Sequence, residues 1–491
     1  MTRFAAAVLL GLVLAGCVTV GPDYERPKAD LPQQWPGAAA EPLSDGWWKA
    51  YGDPVLDRMV DEALIYSLDL RGAIARVDEA RAALGIARAD QYPGVSARAS
   101  ASGNRISRES IITVPPGVDP KYNDFQAAVS ASYEIDFWGK YRRATEAARA
   151  ELLASQFNRE AVRLTLVADV VKGYFRLRAL DAQAAITQRT ISTRQASTAL
   201  MRMRFESGLA SEFDLRQIEA ETAQAQALLP TIEQQLALQE TALAVLVGRS
   251  PRALFSQPVE RGAAIDAIAT PPAVPAGLPS EMLERRPDVR QAEESLIAAN
   301  ARIGQAKAAY YPSISLTGFF GGESSSLADL FNTQSRTWQF AGSLAQPLFD
   351  AGRIKSQVAA AQAREQQMLA QYQSAIQNAF KDALDALVTQ RKARETADAE
   401  QQRVDALQGA RQLAQLRYDN GIASLLDVLI AERALLDAQL NRVDARRVQL
   451  EATANLFKAL GGGWDGKPDA EKPVDGRREA VSDNGRRSSQ N

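Results

Sequence analysis

The chain has 491 residues, 24% of them charged, and a net charge of −2. So even a balance offers no basic footprint for nucleic acid. There is no histidine and a single cysteine, Cys17. The commonest general base and metal ligand is therefore missing, and disulfides within the chain, Cys-rich zinc sites and a thiol nucleophile in the body are excluded. No motif for an enzyme stands out, and neither a cofactor nor a resident metal is expected.

Residues 1–16 read as a lipoprotein signal peptide. Arg3 gives a short positive start, and Phe4 to Val13 is apolar but too short to span a bilayer. The stretch ends in Leu14-Ala15-Gly16-Cys17, which looks like a bacterial lipobox. Cys17 would be diacylated and become the new N-terminus. Val18 follows instead of aspartate, which resembles lipoproteins released to the outer membrane. Beyond the signal no apolar run approaches about 18 residues. Any crossing of a bilayer would have to use strands in a closed barrel. Residues 17–53 form a lipid-anchored, extended N-terminal segment rich in Pro and Trp.

Residues 54–248 form a first repeat. Helical periodicity runs from Pro54 to about Asp90 and is ended by Tyr92-Pro93, because proline disfavours helix in the residue before it. A β-hairpin follows over 94–137. Val95, Ala97, Ala99 and Ala101 alternate with Ser96, Arg98, Ser100 and Ser102; after a polar loop (Asn104–Asn123), Phe125, Ala127, Val129, Ala131, Tyr133 and Ile135 alternate with Gln126, Ser130, Ser132, Glu134 and Asp136. A long helical hairpin occupies 140–247. Its proline-free stretch 140–204 carries Leu164, Val167, Val171 and Tyr174 at 3-4-3 spacing, a coiled-coil seam, and its return helix holds Pro230.

A Pro-rich connector, 249–287, leads to a second repeat over 288–464. That repeat has a helix, a β-hairpin over 313–348 and a long helical hairpin over 353–460 with its own seam at Tyr372, Ile376, Phe380, Ala383 and Leu387. Residues 465–491 are polar and read as a disordered tail.

The repetition is explicit. Arg204, Gly208, Ala210, Ser211, Asp214 and Glu219 recur as Arg417, Gly421, Ala423, Ser424, Asp427 and Glu432, an offset of 213 (417 − 204). Gly85 and Tyr92-Pro93 recur as Gly304 and Tyr311-Pro312, an offset of 219 (304 − 85). Pro230 stands where the second half has Val443, so the two return helices should differ in local bend.

The repeated tip motif has a structural reading. Gly208 and Gly421 fit the left-handed position that ends a helix. Ser211 and Ser424 cap the next helix, with Asp214 and Asp427 near its positive end. Trp138 and Trp338 lie near strand ends, either as membrane-interface anchors or as packing at the strand–helix junction.

Four strands are too few to close a barrel, and open edges are not tolerated in lipid. Several chains sharing one barrel solve the problem; three would give 12 strands. The serine-rich alternate faces suit a wet lumen.

Val20-Gly21-Pro22-Asp23-Tyr24-Glu25-Arg26-Pro27, Trp47-Trp48, and Val274 to Arg290 with its Glu284-Arg285-Arg286-Pro287-Asp288-Val289-Arg290 end resemble the lipoprotein (OprM/NodT-like) branch of the TolC-type outer-membrane efflux channels. The resemblance covers about Cys17 to Gly463. It implies a mostly α fold with a β-barrel part: a homotrimer with a 12-stranded outer-membrane barrel continuous with a periplasmic α-helical tunnel. It also implies a passive conduit, not an enzyme, whose tip meets a periplasmic adaptor joined to an inner-membrane pump.

On this resemblance, the docking turns would be Arg204 with Gly208-Leu209-Ala210-Ser211, and Gly421-Ile422-Ala423-Ser424. The aspartates just past the turns, Asp427 and Asp214, would narrow the pore; three-fold symmetry would gather copies of Asp427 into the constriction, while Asp214 would more readily cap or pair with a neighbouring helix. Ile430 stands where some relatives carry a second acid, giving an apolar level that closes by dewetting. Ala423 replaces an arginine latch, leaving Arg417 and Tyr418 as latch candidates. The exported compounds would be small and amphipathic. Metal-ion export, type I protein export and a pore-free, lipid-anchored scaffold are the competing readings.

Overall fold

The computed structural model of the protein describes residues 19–28, 30, 45–107, 109, 115, 117–271, 285–462 and 464. Cys17, the signal peptide 1–16 and the tail 465–491 lie outside them. The first half contains helices α1 (Pro54–Tyr66) and α2 (Leu68–Ala89), strands β1 (Gly94–Arg105) and β2 (Lys121–Ile135), and the long pair α3 (Lys140–Glu206) and α4 (Glu212–Leu246). A short helix α5 (Pro251–Ser256) opens the connector. The second half contains α6 (Pro287–Ala308), β3 (Ser313–Ser324), β4 (Arg336–Ala345), α7 (Arg353–Asp419) and α8 (Leu425–Ala459).

The internal repeat is conserved in length as well as in residues. Helices α3 and α7 each have 67 residues and start 213 apart (353 − 140); α4 and α8 each have 35 and also start 213 apart (425 − 212). Helices α2 and α6 each have 22 residues and start 219 apart (287 − 68). At about 1.5 Å per residue α3 and α7 reach on the order of 100 Å and α4 and α8 about half that. Helix α4 continues unbroken through Pro230.

The four strands form one antiparallel sheet in the order β1-β2-β3-β4. Its register sorts the side chains onto two faces. Ala97 lies opposite Val129, Val129 opposite Phe320, and Phe320 opposite Trp338. Val95, Val129, Phe320, Trp338, Phe340 and Leu344 are all more than half exposed, so this apolar face is bare in a single chain. The other face carries the hydroxyls, with Ser96 and Ser130 bonded at 2.9 Å and Ser315 and Ser343 at 2.7 Å. The ladder reaches Asn104↔Tyr122 and Arg105↔Lys121, further into the polar loop than side-chain alternation indicated, because backbone pairing continues after the pattern fades.

The helices pack through a core that joins both halves. Trp47, Tyr51, Met59, Val171, Tyr174, Leu243, Ile265, Val443 and Phe457 belong to one buried cluster. Tyr372, Ile376 and Ala383 of the expected seam are buried in a second cluster with Val289 and Leu296, and Phe380 and Leu387 pack against it. The first helical segment is not continuous, as the sequence suggested. It breaks at Ser67, whose ψ of 128° lets α1 bury Leu56, Met59, Val60 and Ala63 before α2 turns along α3. Backbone bonding survives the break, since Ser67 N–H donates to Ala63 O and Arg71 N–H to Ser67 O.

Residues 19–28 are a strap that crosses α3 of the first half and α6 of the second. Val20 N–H donates to Trp138 O at 3.0 Å, and Asn300 Nδ2 donates to Pro22 O at 3.1 Å. Arg143 donates to Asp23 at 2.7 Å, and Arg26 grips Glu293 through two bonds of 2.6 and 2.7 Å. At Gly21, with φ +109°, an added Cβ would stand 2.4 Å from Gly304 Cα, so two glycine backbones are in contact where the strap crosses α6.

Candidate functional site

Both long helices end in the same backbone turn. Leu209 N–H donates to Arg204 O at 2.7 Å and Gly208 N–H to Phe205 O at 2.9 Å; in the second half Ile422 donates to Arg417 O at 2.8 Å and Gly421 to Tyr418 O at 2.9 Å. This pair of bonds is the Schellman closure, which needs a left-handed residue after the helix. Gly208 and Gly421 supply it at φ 75° and 74°. The chain then reverses within four residues, and a serine starts the return helix.

The two serine caps are not identical. Ser211 Oγ accepts from Asp214 N–H at 3.1 Å and donates to the Asp214 carboxylate at 2.7 Å. Ser424 makes the same contacts to Asp427, and Ser424 N–H also donates to Asp427 Oδ2 at 2.9 Å, completing a reciprocal capping box. The Ser424 hydroxyl and backbone N–H hold the Asp427 carboxyl below the usual carboxylate range, and Arg417 adds to the effect. Both aspartates therefore sit in the caps, as the structural reading of the repeated motif expects.

The two tips pack together. Met201, Leu215, Ile218, Leu425 and Leu429 form a buried cluster with Ala210 and Tyr418 against it. Arg204 Nη1 lies 3.5 Å from the Tyr418 hydroxyl, so this latch candidate meets the other hairpin of its own chain. Ala423 N–H donates back to Arg417 O at 3.3 Å, within the turn's own backbone closure. Leu209 and Ile422 stand at the two turns 79% and 68% exposed, and Phe213 is exposed beside them. Ile430, one turn after Asp427, is half exposed. Each turn thus presents a bare aliphatic side chain on a rigid, doubly capped reversal.

The aromatic candidates separate. Trp138 stacks on Tyr311 at 4.6 Å and its Nε1 donates to Pro312 O at 2.8 Å, so it packs at the strand–helix junction. Trp338 is 73% exposed on the apolar face of the sheet. Sequence reasoning missed Arg286, which is buried and donates to Ala459 O at the end of α8 while pairing with Asp288 and Asp382. Its place in the Arg285–Arg290 run was the available signal. Among the described residues no cluster of three or more His, Cys, Asp or Glu could hold a metal ion, and no helix is long and apolar enough to cross a membrane.

A four-stranded sheet with one bare apolar face, joined to two helical hairpins whose longer arms reach about 100 Å, is the architecture of an outer-membrane channel subunit. The family model "Outer membrane efflux protein" matches residues 59–249 and 278–462, and the chain belongs to that family. The antibiotic efflux pump outer membrane protein ArpC of Pseudomonas putida is 36% identical over 92% of this chain and 94% of its own length. The cation efflux system protein CusC of Escherichia coli is 33% identical over 93% and 97%. The crystal structure of the Campylobacter jejuni CmeC outer membrane channel superposes with a TM-score of 0.87 at 26% identity, covering 92% of this chain and 96% of that one. These relatives are transport proteins and not enzymes, and the fold class read from the sequence is the fold observed.

Proposed function

We propose that this protein is the passive outer-membrane conduit of a tripartite efflux system. Three copies share a 12-stranded barrel, four strands from each, and their helical hairpins form a periplasmic tunnel. The observation that carries the reading is the sheet itself: its apolar face is bare and its edge strands β1 and β4 have no partner among the described strands. The apolar face is disfavoured in water and suits lipid, but open strand edges are not tolerated in lipid unless further copies close the sheet. Cys17 would be the lipidated residue that tethers each copy.

The turns Gly208–Ser211 and Gly421–Ser424 are the docking surface for a periplasmic adaptor, which links the conduit to an inner-membrane pump. Their exposed Leu209 and Ile422 support this. Asp427 and Ile430, on the exposed side of α8, form the narrow level of the tunnel. Small amphipathic compounds are the cargo. Relatives named for antibiotic and for cation efflux are similarly close, but the absence of histidine and of metal-binding clusters among the described residues favours organic cargo.

Photo-crosslinking residues placed at Ala210 and Ala423 in living cells test the tip assignment. Capture of a periplasmic adaptor supports it. Capture of none, with normal expression and assembly, returns the pore-free scaffold reading.

A further inference from the structure

We propose that a recess between the two helical hairpins of one chain, lined by Arg189, Arg194 and Arg411, binds a small, freely diffusing oxyanion of the phosphate class. The recess lies within a single chain and does not depend on how copies assemble.

Helix α3 of the first hairpin brings Arg189, Thr190, Thr193 and Arg194 to the recess; α7 of the second brings Arg411 and α8 brings Glu432. The volume is about 260 Å³, room for a polyatomic anion with some of its water. Arg194 precedes Arg204 by 10 residues (204 − 194), about 15 Å along the helix. The recess is therefore separate from the turns at the tip.

Charge in the recess is out of balance. Arg194 is 2% exposed. Its Nη1 donates to Glu221 O on α4 at 2.6 Å and stands 3.4 Å from the Glu221 carboxylate. Its Nε and Nη2 are buried and have no hydrogen-bond partner among the described residues. A guanidinium this far from water is ordinarily met on both forks by carboxylate or phosphate oxygens. Glu221 does not neutralise it alone, because Arg433 lies 3.8 Å from the same carboxylate. Arg411 donates to Glu432 at 3.2 Å, and Glu432 is the one acid among the described residues that line the recess. Arg189 is exposed, and its Nε donates only to Ala185 O of its own helix, at 3.3 Å. Three cations thus share one acid in the lining, an excess that suits a doubly charged anion better than chloride or a single carboxylate. Arg189, Arg411 and the exposed Thr193 are the donors an entering anion meets, with the buried charge of Arg194 beneath them.

The internal repeat shows that the scaffold does not need these arginines. The offset of 213 carries Arg189 onto Gln402, Thr193 onto Ala406 and Arg194 onto Leu407, and carries Arg411 back onto Thr198. Glu432 keeps its type, as Glu219. The other half builds helices of the same lengths with a leucine where Arg194 stands. An apolar residue is the cheaper filling for a buried helix position, so the arginine set answers to something other than packing. An oxyanion held by Arg189 and Arg411 would also touch α3 and α7 at once and tie the first hairpin to the second.

The test uses the full-length protein in detergent, with sodium phosphate titrated by calorimetry against sodium chloride at equal ionic strength. Saturable binding with a dissociation constant of about 1 mM or tighter is expected from phosphate and not from chloride. Arg194→Leu and Arg189→Gln each install the residue of the other half. Each should weaken phosphate binding at least about tenfold, the loss of one charge-assisted contact. Arg252→Gln, exposed on α5 and outside the recess, should leave binding unchanged. Phosphate should also raise the thermal midpoint of the unaltered protein and not that of Arg194→Leu. Phosphate heats that match those of chloride overturn the proposal, as does phosphate binding that both variants retain. Tighter binding of a polyglutamate peptide than of phosphate would make the recess a seat for an acidic partner and overturn the free-anion assignment. If Arg194→Leu does not fold, the exposed Arg189→Gln decides.

Discussion

Ser424 and Asp427 bond to each other in both directions, whereas their counterparts Ser211 and Asp214 lack the bond from the serine backbone N–H. The second hairpin therefore starts its return helix with one more donor satisfied. Ser424→Ala should cost about 1 kcal/mol, as for other cap deletions, and remove both hydroxyl bonds to Asp427 while the backbone bond from residue 424 to its carboxylate remains. If Asp427 lines the narrow level, planar-bilayer conductance and cation preference should change more in Ser424→Ala than in Ser211→Ala. Equal changes would separate Asp427 from the constriction.

The strap makes a graded prediction. Arg26 is partly exposed, so screening limits the loss in Arg26→Ala to about 1 kcal/mol, and Arg290 still donates to Glu293 at 3.1 Å. Gly21→Val must push a side chain into the Gly304 backbone from a left-handed φ. Thermal denaturation should rank Gly21→Val well below Arg26→Ala. The reverse order would mean that the ion pair, and not the backbone contact, holds the strap.

Glu294 predicts a pH dependence opposite to that of most carboxylates. Burial on α6, with Glu293 beside it, pushes its carboxyl up from 4.5 to about 7, while Arg290 opposes the shift. Between those values the folded state binds a proton that the unfolded state has lost. Its contribution to stability therefore falls as pH rises from about 4.5 to 7. Glu294→Gln should flatten that part of the stability profile, read from denaturant midpoints at pH 5, 6 and 7. An unchanged slope would place the titration elsewhere.

The sheet faces predict asymmetric tolerance. Phe340 is 73% exposed on the apolar face, while Thr317 lies on the hydroxyl face opposite Ala341. Phe340→Arg should disfavour membrane insertion by ~2–4 kcal/mol if it lies near mid-bilayer and reduce the protein recovered in outer membranes. Thr317→Lys should insert normally and alter conductance instead. Equal recovery of the two variants would argue against a lipid-facing Phe340.

Much of this was legible in the sequence because the signals were local and doubled. Alternation at Val95–Ser102 and Ile314–Phe320 gave strand faces, and Gly208 with Ser211 gave a turn that Gly421 with Ser424 repeated. The break at Ser67 was hidden because both flanking segments are helical and the interruption keeps its backbone bonds. The strap was hidden for another reason. Arg26 and Glu293 are 267 residues apart, and no periodicity links an extended segment to the helix it crosses. The capping difference between Asp214 and Asp427 was equally silent, since the two motifs carry the same residues at the same spacing.

The matched helix lengths, 67 and 35 in each half, make depth a shared dimension of the molecule. Adding one residue to α3 alone would advance its tip by about 1.5 Å and rotate it by about 100° relative to α7. Leu215 and Leu425 could then no longer meet. A deeper or shallower version of this protein would need the same whole-turn change in all four long helices, for instance seven residues each, or about 10 Å. Reach across the periplasmic gap is thus set by four coordinated insertions and resists change by single ones.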